Sequence, residues 1–198
     1  MIIYTLCELL DMRYNVVFVG TISVGKTSLI RRYLNGDHDT SVTSTLAVDY
    51  FPIQIGDVEL SVWDTAGQER FMSITSSYFS RGHVFVLVHD IETCQVEKDI
   101  QLWYKQIFDK RPARHEPVVI VASNKTDLHP FCSQEVTNWI KEHSFDHVYT
   151  SAITGEGIEK LFQKIHDAVV VHQSDWLAPS LPALPATSVS KTSPGCNC

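Results

Sequence analysis

Gly20-Thr21-Ile22-Ser23-Val24-Gly25-Lys26-Thr27, preceded by Tyr14–Val19 and followed by Ser28–Leu34, is the stretch from which the fold is read. The run before it is rich in β-branched residues, the composition of a short buried strand. The run after it opens a helix that Gly36 would stop. Between them the loop matches the phosphate-binding pattern G-x-x-x-x-G-K-[ST]. Amides of such a loop and of the first helical turn point at phosphate oxygens, where the helix dipole adds positive potential. Lys26 can reach terminal phosphates, and the Thr27 hydroxyl can ligate Mg²⁺. Gly20, Ser23, Val24, Gly25, Lys26, Thr27 and Ser28 are therefore candidate nucleotide contacts. Chance can assemble the four fixed positions, but the strand before and helix after make that reading poorer. Alone, the loop implies nucleotide phosphates and nothing finer.

A chain of 198 residues holds one domain plus something short, with room for a sizeable core. Its formal charge of −7, with no basic stripe, argues against nucleic acid as a partner. No segment approaches the ~20 apolar residues of a membrane span. Five cysteines without a CxxC pair fit a reducing compartment better than a disulfide framework. The apolar start, Met1 to Leu10, lacks the basic lead-in and cleavage site of a signal peptide. It reads as a short extension over residues 1–12, and Met12 could equally be the start. The globular domain is expected over 13–173. From Ser174 to Cys198, Pro179, Pro182, Pro185 and Pro194 among Ser, Thr and Ala predict an extended, mobile tail.

Within the domain, apolar runs and helical stripes alternate. Ala47–Ile55 and Val58–Trp63 read as strands joined by Gly56-Asp57, a two-residue turn that favours an antiparallel hairpin. Glu69–Ser80 reads as helical. Val84–Val88 is apolar throughout, as expected of a central strand covered on both faces. Val96, Ile100, Trp103 and Ile107 share one helical face. Val118–Ala122 is the next buried strand, and Ser133 caps a helix carrying Val136, Trp139 and Ile140. Val148–Thr150 is a short strand, and Ile158, Leu161, Phe162, Ile165 and Ala168 line a final helix. This alternation predicts an α/β fold with a six-stranded, mostly parallel sheet and helices on both faces. Ligands of such folds bind at the carboxyl ends of the strands.

Two more motifs fall at those ends. Trp63-Asp64-Thr65-Ala66-Gly67-Gln68-Glu69-Arg70-Phe71 places Asp64 to hold Mg²⁺ through water. Gly67 can bring its N–H to a γ-phosphate, and Gln68 can orient an attacking water. In Ser123-Asn124-Lys125-Thr126-Asp127-Leu128, a buried Asp127 carboxylate would accept from the N1–H and 2-amino group of guanine. Adenine offers neither donor, which argues against an ATP-using protein with the same phosphate loop. The Lys125 stem can lie on the base, and Asn124 can tie this loop to the phosphate loop. Thr150-Ser151-Ala152 can present amides to the guanine carbonyl. Each motif alone is also compatible with an ordinary polar turn. Three of them in order, each at a strand end, predict binding of GTP or GDP with Mg²⁺.

On these residues the chain resembles the Ras-like small GTPases, and among them the Rab type, from about Tyr14 to Val171. Ser44-Thr45-Leu46-Ala47-Val48-Asp49-Tyr50, Ser73 to Gly82 and Leu87-Val88-His89-Asp90-Ile91 carry the Rab likeness. The resemblance implies a P-loop GTPase fold and a switch that hydrolyses GTP to GDP and phosphate. It implies Lys26, Thr45 and Gln68 as catalytic, with Thr27, Thr45 and Asp64 on the metal. His38 would stand beside the guanine, where the family has an aromatic ring. Tyr50, Trp63 and Tyr78 would present an aromatic surface to effector proteins. The other partners implied are an exchange factor, a GTPase-activating protein and an escort of the dissociation-inhibitor kind. The closing Cys196-Asn197-Cys198 resembles a double geranylgeranylation signal, with Cys196 and Cys198 modified, and no polybasic patch assists it. Such a protein acts in vesicle and membrane trafficking on the cytoplasmic face of endomembranes and cycles with the cytosol.

The departures from the family are concentrated around the phosphates. Ile22 and Ser23 stand where small residues are usual, the second typically glycine, and Val42 replaces a tyrosine over the phosphates. Ile153 replaces the lysine that follows Ser151-Ala152, and the hairpin at Gly56-Asp57 is short. A branched side chain at Ile22 crowds the volume that Gln68 and an activating arginine must share. Slow hydrolysis is expected, with a GTP-bound, poorly hydrolysing adaptor of the same fold as the rival reading. Histidines such as His83, His89 and His166 are assigned no role.

Overall fold

The computed structural model describes residues 13–37, 45, 48–67, 78–92, 96–110, 115–128 and 133–177. Six strands form one sheet: β1 (Arg13–Val19), β2 (Val48–Ile55), β3 (Val58–Thr65), β4 (Val84–Asp90), β5 (Val118–Asn124) and β6 (Asp146–Thr150). Their order is β2-β3-β1-β4-β5-β6, with β2 antiparallel to β3 and the other neighbours parallel. Four helices are described: α1 (Lys26–Asn35), α2 (Val96–Asp109), α3 (Gln134–Glu142) and α4 (Ile158–Leu177).

Strand alternation divides the interior in two. Val16 and Phe18 of β1, with Val84, Val86 and Val88 of β4, meet Leu29 and Ile30 of α1 and Leu161, Phe162 and Ile165 of α4. On the other face, Val17, Val19, Phe85, Leu87, Val119 and Val121 meet Ile100, Trp103 and Ile107 of α2 and Val136, Trp139 and Ile140 of α3. Phe162, fully buried, stacks on Tyr33 with ring centroids 3.8 Å apart and so locks α4 onto α1. Local chemistry ends the helices where the residues suggest. Gly36 takes a left-handed φ of 74° and donates its N–H to the Arg32 carbonyl. Ser133 Oγ accepts from the Val136 amide at the start of α3.

Three strands outrun their apolar stretches by two residues each. β3 continues through Asp64 and Thr65, β4 through His89 and Asp90, and β5 through Ser123 and Asn124. The ladder explains this: Asp90 is registered with Asn124, and Asn124 with Thr150. Polar residues are thus fixed by main-chain bonds before they enter loops. The hairpin is tight, Ile55 facing Val58 across Gly56 at φ 56°.

The last helix runs to Leu177, past Ser174, where composition places the start of the tail. Its end is held by packing rather than propensity. The Trp176 ring lies 4.9 Å from His83, 5.7 Å from His115 and 5.9 Å from Tyr14, and the Tyr14 hydroxyl donates to Gln173. Most of the segment expected as a helix over Glu69–Ser80 lies outside the described residues, as do residues 1–12 and 178–198.

Candidate functional site

The phosphate loop leaves β1 jammed against its neighbours. A Cβ on Gly20 would lie 2.1 Å from the Val88 carbonyl oxygen, and one on Gly25 would lie 2.3 Å from Asn124 Nδ2. Lys26 crosses beneath the loop and donates to the Gly20 and Thr21 carbonyls at 2.9 and 3.0 Å. The ammonium is buried, and loss of water lowers its pKa to about 8 against the pull of Asp64. A buried cation in a glycine-bounded loop is poised for an anion. Ser23 sits at φ 62°, where a side chain costs roughly 1 kcal/mol relative to glycine. Ile22 is half exposed at the crest of the loop.

Behind the loop three oxygen ligands converge. Thr27 Oγ1 and Thr45 Oγ1 both donate to Asp64 Oδ2, at 2.5 and 3.0 Å, and stand 3.0 Å from each other. Asp64 is fully buried, and its other carboxylate oxygen has no partner among the described residues. Burial raises its pKa, opposed by the Thr27 hydroxyl and by Lys26. Two hydroxyls beside a half-satisfied carboxylate suit a hard cation that keeps water ligands. Gly67 approaches from the end of β3: a Cβ there would fall 2.4 Å from the Thr21 carbonyl carbon. Only glycine permits that approach.

The other wall is built from the ends of β5 and β6. Asn124 donates through Nδ2 to the Val24 carbonyl at 2.8 Å and accepts from Thr150 Oγ1 at 3.2 Å. It therefore joins phosphate loop, β5 and β6. Lys125, at φ 69°, pairs with Asp90 Oδ2 at 2.6 Å. Asp127 Oδ1 accepts from Ser151 Oγ at 2.5 Å. Two details differ from the sequence reading. Asp127 is exposed rather than buried, because the chain has left the ladder after Asn124 and the residue lies on the open side of the loop. The Ser151 amide is spent inside its own loop, donating to the Glu156 carbonyl at 3.0 Å, so of Ser151 and Ala152 only the second is a candidate base donor.

Contacts not foreseen from the residues bind these walls. Asp90 fixes Lys125, and its place at the end of β4 was the available signal. Arg32 donates to the Thr154 carbonyl at 3.3 Å, its guanidinium filling the space where Gly155 lacks a side chain. His89 and His147 flank the Ser123 hydroxyl. Periodicity gave no warning of that, since both rings occupy sheet positions that apolar residues fill elsewhere. Tyr50 of β2 and Trp63 of β3 form a continuous row with Tyr78, with centroids 4.8 and 4.6 Å apart. Ile153 is exposed beside Ala152. Gln68, His38, Val42, Cys196 and Cys198 lie outside the described residues.

Burial lowers His83 and His89 from the ordinary 6.5 to about 4 each. A histidine depressed by folding contributes stability that is full above its unfolded pKa and lost as pH falls through the folded value. Unfolding free energy is expected to drop between about pH 6.5 and 4, by on the order of several kcal/mol for the pair. Urea titrations at stepped pH measure this directly, and a flat profile across the window would contradict it.

The sequence model of the Ras family matches residues 15–171. The Ras-related protein Rab-30 of Homo sapiens is 31% identical over 159 residues, covering 77% of each chain. The proteins of that name from Bos taurus and Mus musculus match to the same extent.

Proposed function

Because the chain belongs to the Ras family and is a Rab-type small GTPase, we propose that the cleft between the phosphate loop and the β5–β6 loops holds GTP or GDP with Mg²⁺, and that GTP is hydrolysed there slowly. The observation that carries this reading is Asn124, whose amide joins the base loop to the phosphate loop and so makes one cleft of two motifs. In it, Lys26 neutralises the terminal phosphates, and amides from Ser23 to Ser28 surround them. Thr27, Thr45 and Asp64 hold the metal, which supplies charge neutralisation on the phosphates. Asp127 accepts from the guanine N1–H and 2-amino group while Ser151 steadies it, the Lys125 stem covers the base, and the Ala152 amide meets the guanine carbonyl. His38 lies beside the base.

Hydrolysis is attack by a water on the γ-phosphorus, in line with the bond to the β-phosphate oxygen, with Gln68 orienting the water. Thr45 and Gly67 sense the γ-phosphate, and its loss releases the segments around them. The row Tyr50–Trp63–Tyr78 beside those segments is the surface we assign to effectors. Exchange factors, activating proteins and a dissociation inhibitor are the partner kinds of Rab proteins. Prenylation of Cys196 and Cys198, on the resemblance of Cys196-Asn197-Cys198 to a double geranylgeranylation signal, supplies the anchor to cytoplasmic membrane faces. Serine at both positions is expected to move the protein to the soluble fraction, and unchanged membrane pelleting would remove the anchor from the account. The rival reading, a GTP-bound adaptor, is motivated by Ile22, exposed on the phosphate loop, and by Ser23 at φ 62°.

Base competition tests the proposal. GTP and GDP should displace labelled GDP at concentrations at least about 10³-fold below those needed of ATP. Equal displacement by ATP would end the guanine reading.

A further inference from the structure

Three polar side chains with no part in the site above meet beneath it. Ser123 on β5 is fully buried, and its Oγ lies 2.7 Å from His89 Nε2 on β4 and 2.6 Å from His147 Nε2 on β6. A hydroxyl has one proton, so Ser123 donates to one ring and accepts from the other. His89 Nδ1 faces the Asp90 carbonyl oxygen at 3.5 Å, which suits an N–H and not a lone pair. His89 Nε2 is then the acceptor, Ser123 its donor, and the Nε2–H of His147 donates to Ser123. Burial of His89 keeps its ring neutral, as this order requires.

His89 and Ser123 stand immediately behind residues of the base-reading wall, and His147 is the second residue of β6. His89 precedes Asp90, the partner of Lys125. Ser123 precedes Asn124. His147 lies three residues before Thr150, whose hydroxyl donates to Asn124 and whose carbonyl accepts from the Thr126 amide at 3.2 Å. Main-chain bonds register the three strands up to Asn124 and Thr150, and beyond them the loops have no ladder. We propose that the His89–Ser123–His147 chain is a positioning device that ties the ends of β4 and β5 to the start of β6 so that Asp127 reads the 2-amino group of guanine. The proposal rests on the guanine reading given above. It assigns the three residues no contact with nucleotide; they act through Asp90, Asn124 and the loop that follows.

The test follows release of labelled GDP and of labelled inosine diphosphate, which lacks the 2-amino group, from the full chain. Ser123→Ala leaves the buried His89 Nε2 without its donor and the half-buried His147 Nε2 without its acceptor, and should speed GDP release by about ten-fold. It should speed inosine diphosphate release less, so the preference for GDP narrows. His147→Leu should behave alike. His147→Gln keeps an N–H near the Nε2 position and should stay within about two-fold of the natural protein. Equal acceleration of both nucleotides would reduce the chain to general packing and overturn the proposal, as would unchanged release from Ser123→Ala. So would a Gln variant no better than Leu. A natural protein that holds both nucleotides equally would show that the 2-amino group is not read and would overturn this proposal before any variant is made. Inosine keeps the N1–H that adenine lacks, so the competition with ATP tests the guanine reading separately.

Discussion

Asp127→Asn is expected to weaken GDP binding by about 10⁴-fold and to admit xanthine nucleotides in its place. The carboxylate presents two acceptors, and guanine presents two donors to it, N1–H and the 2-amino group. An amide presents one acceptor and one donor, which matches the N1–H and 2-carbonyl of xanthine and leaves a guanine donor facing a donor. A site built to bond a group rejects its mismatch steeply, because a desolvated polar pair is left unmade. The exposure of Asp127 does not weaken the argument, since the bound base itself would cover the carboxylate. Ser151 Oγ donates to Oδ1 at 2.5 Å, and the amide oxygen of Asn can accept that same bond. The loop should therefore keep its shape while its reading changes. Competition of labelled GDP with unlabelled GDP and xanthosine diphosphate measures it. An Asn variant that still prefers guanine would place base recognition elsewhere.

Ile22→Ser with Ser23→Gly is expected to raise the rate of GTP hydrolysis by at least about ten-fold, and to open the site to an activating arginine. An arginine finger is worth ~10³–10⁵ in rate, so whatever fills its volume forfeits part of that factor. Ile22 is half exposed at the crest of the loop, and Gly67, next to Gln68, packs directly on the Thr21–Ile22 backbone. With GTP bound as proposed, a branched side chain there would stand in the path of anything approaching the γ-phosphate. Ser23 adds a second effect. At φ 62° it holds a left-handed conformation that glycine adopts without strain, so Ser23→Gly also relaxes the loop.

Much of this arrangement was legible in the residues. Gly20, Gly25-Lys26-Thr27 and Asp64 announce their places because their chemistry admits few substitutes, and the alternation of apolar runs with helical stripes gives the order of elements. Helix α4 is harder to bound, since Ser174 and the prolines beyond it change the composition, whereas Trp176 is held by Tyr14 of β1 and by His83, just before β4. Such packing joins residues far apart in sequence and leaves no local signal. The same holds for Asp90 with Lys125 and for Arg32 over Gly155, pairs that only the folded sheet edge brings together. His89, Ser123 and His147 carry no signal in the sequence, because each taken alone fits an ordinary strand. Parallel register sets His89 opposite Ser123, and His147, opposite Val121, reaches the same hydroxyl diagonally from the start of β6.

Slow hydrolysis is assigned to the phosphate loop, and single-turnover kinetics test that assignment most directly. Natural protein and the Ile22→Ser, Ser23→Gly variant are each loaded with GTP and Mg²⁺ and followed for phosphate release in one turnover. A slow natural protein beside a variant at least about ten-fold faster is the predicted result. Equal rates for the two would contradict it, and Ile22 would then be a tolerated residue in an ordinary cycling switch.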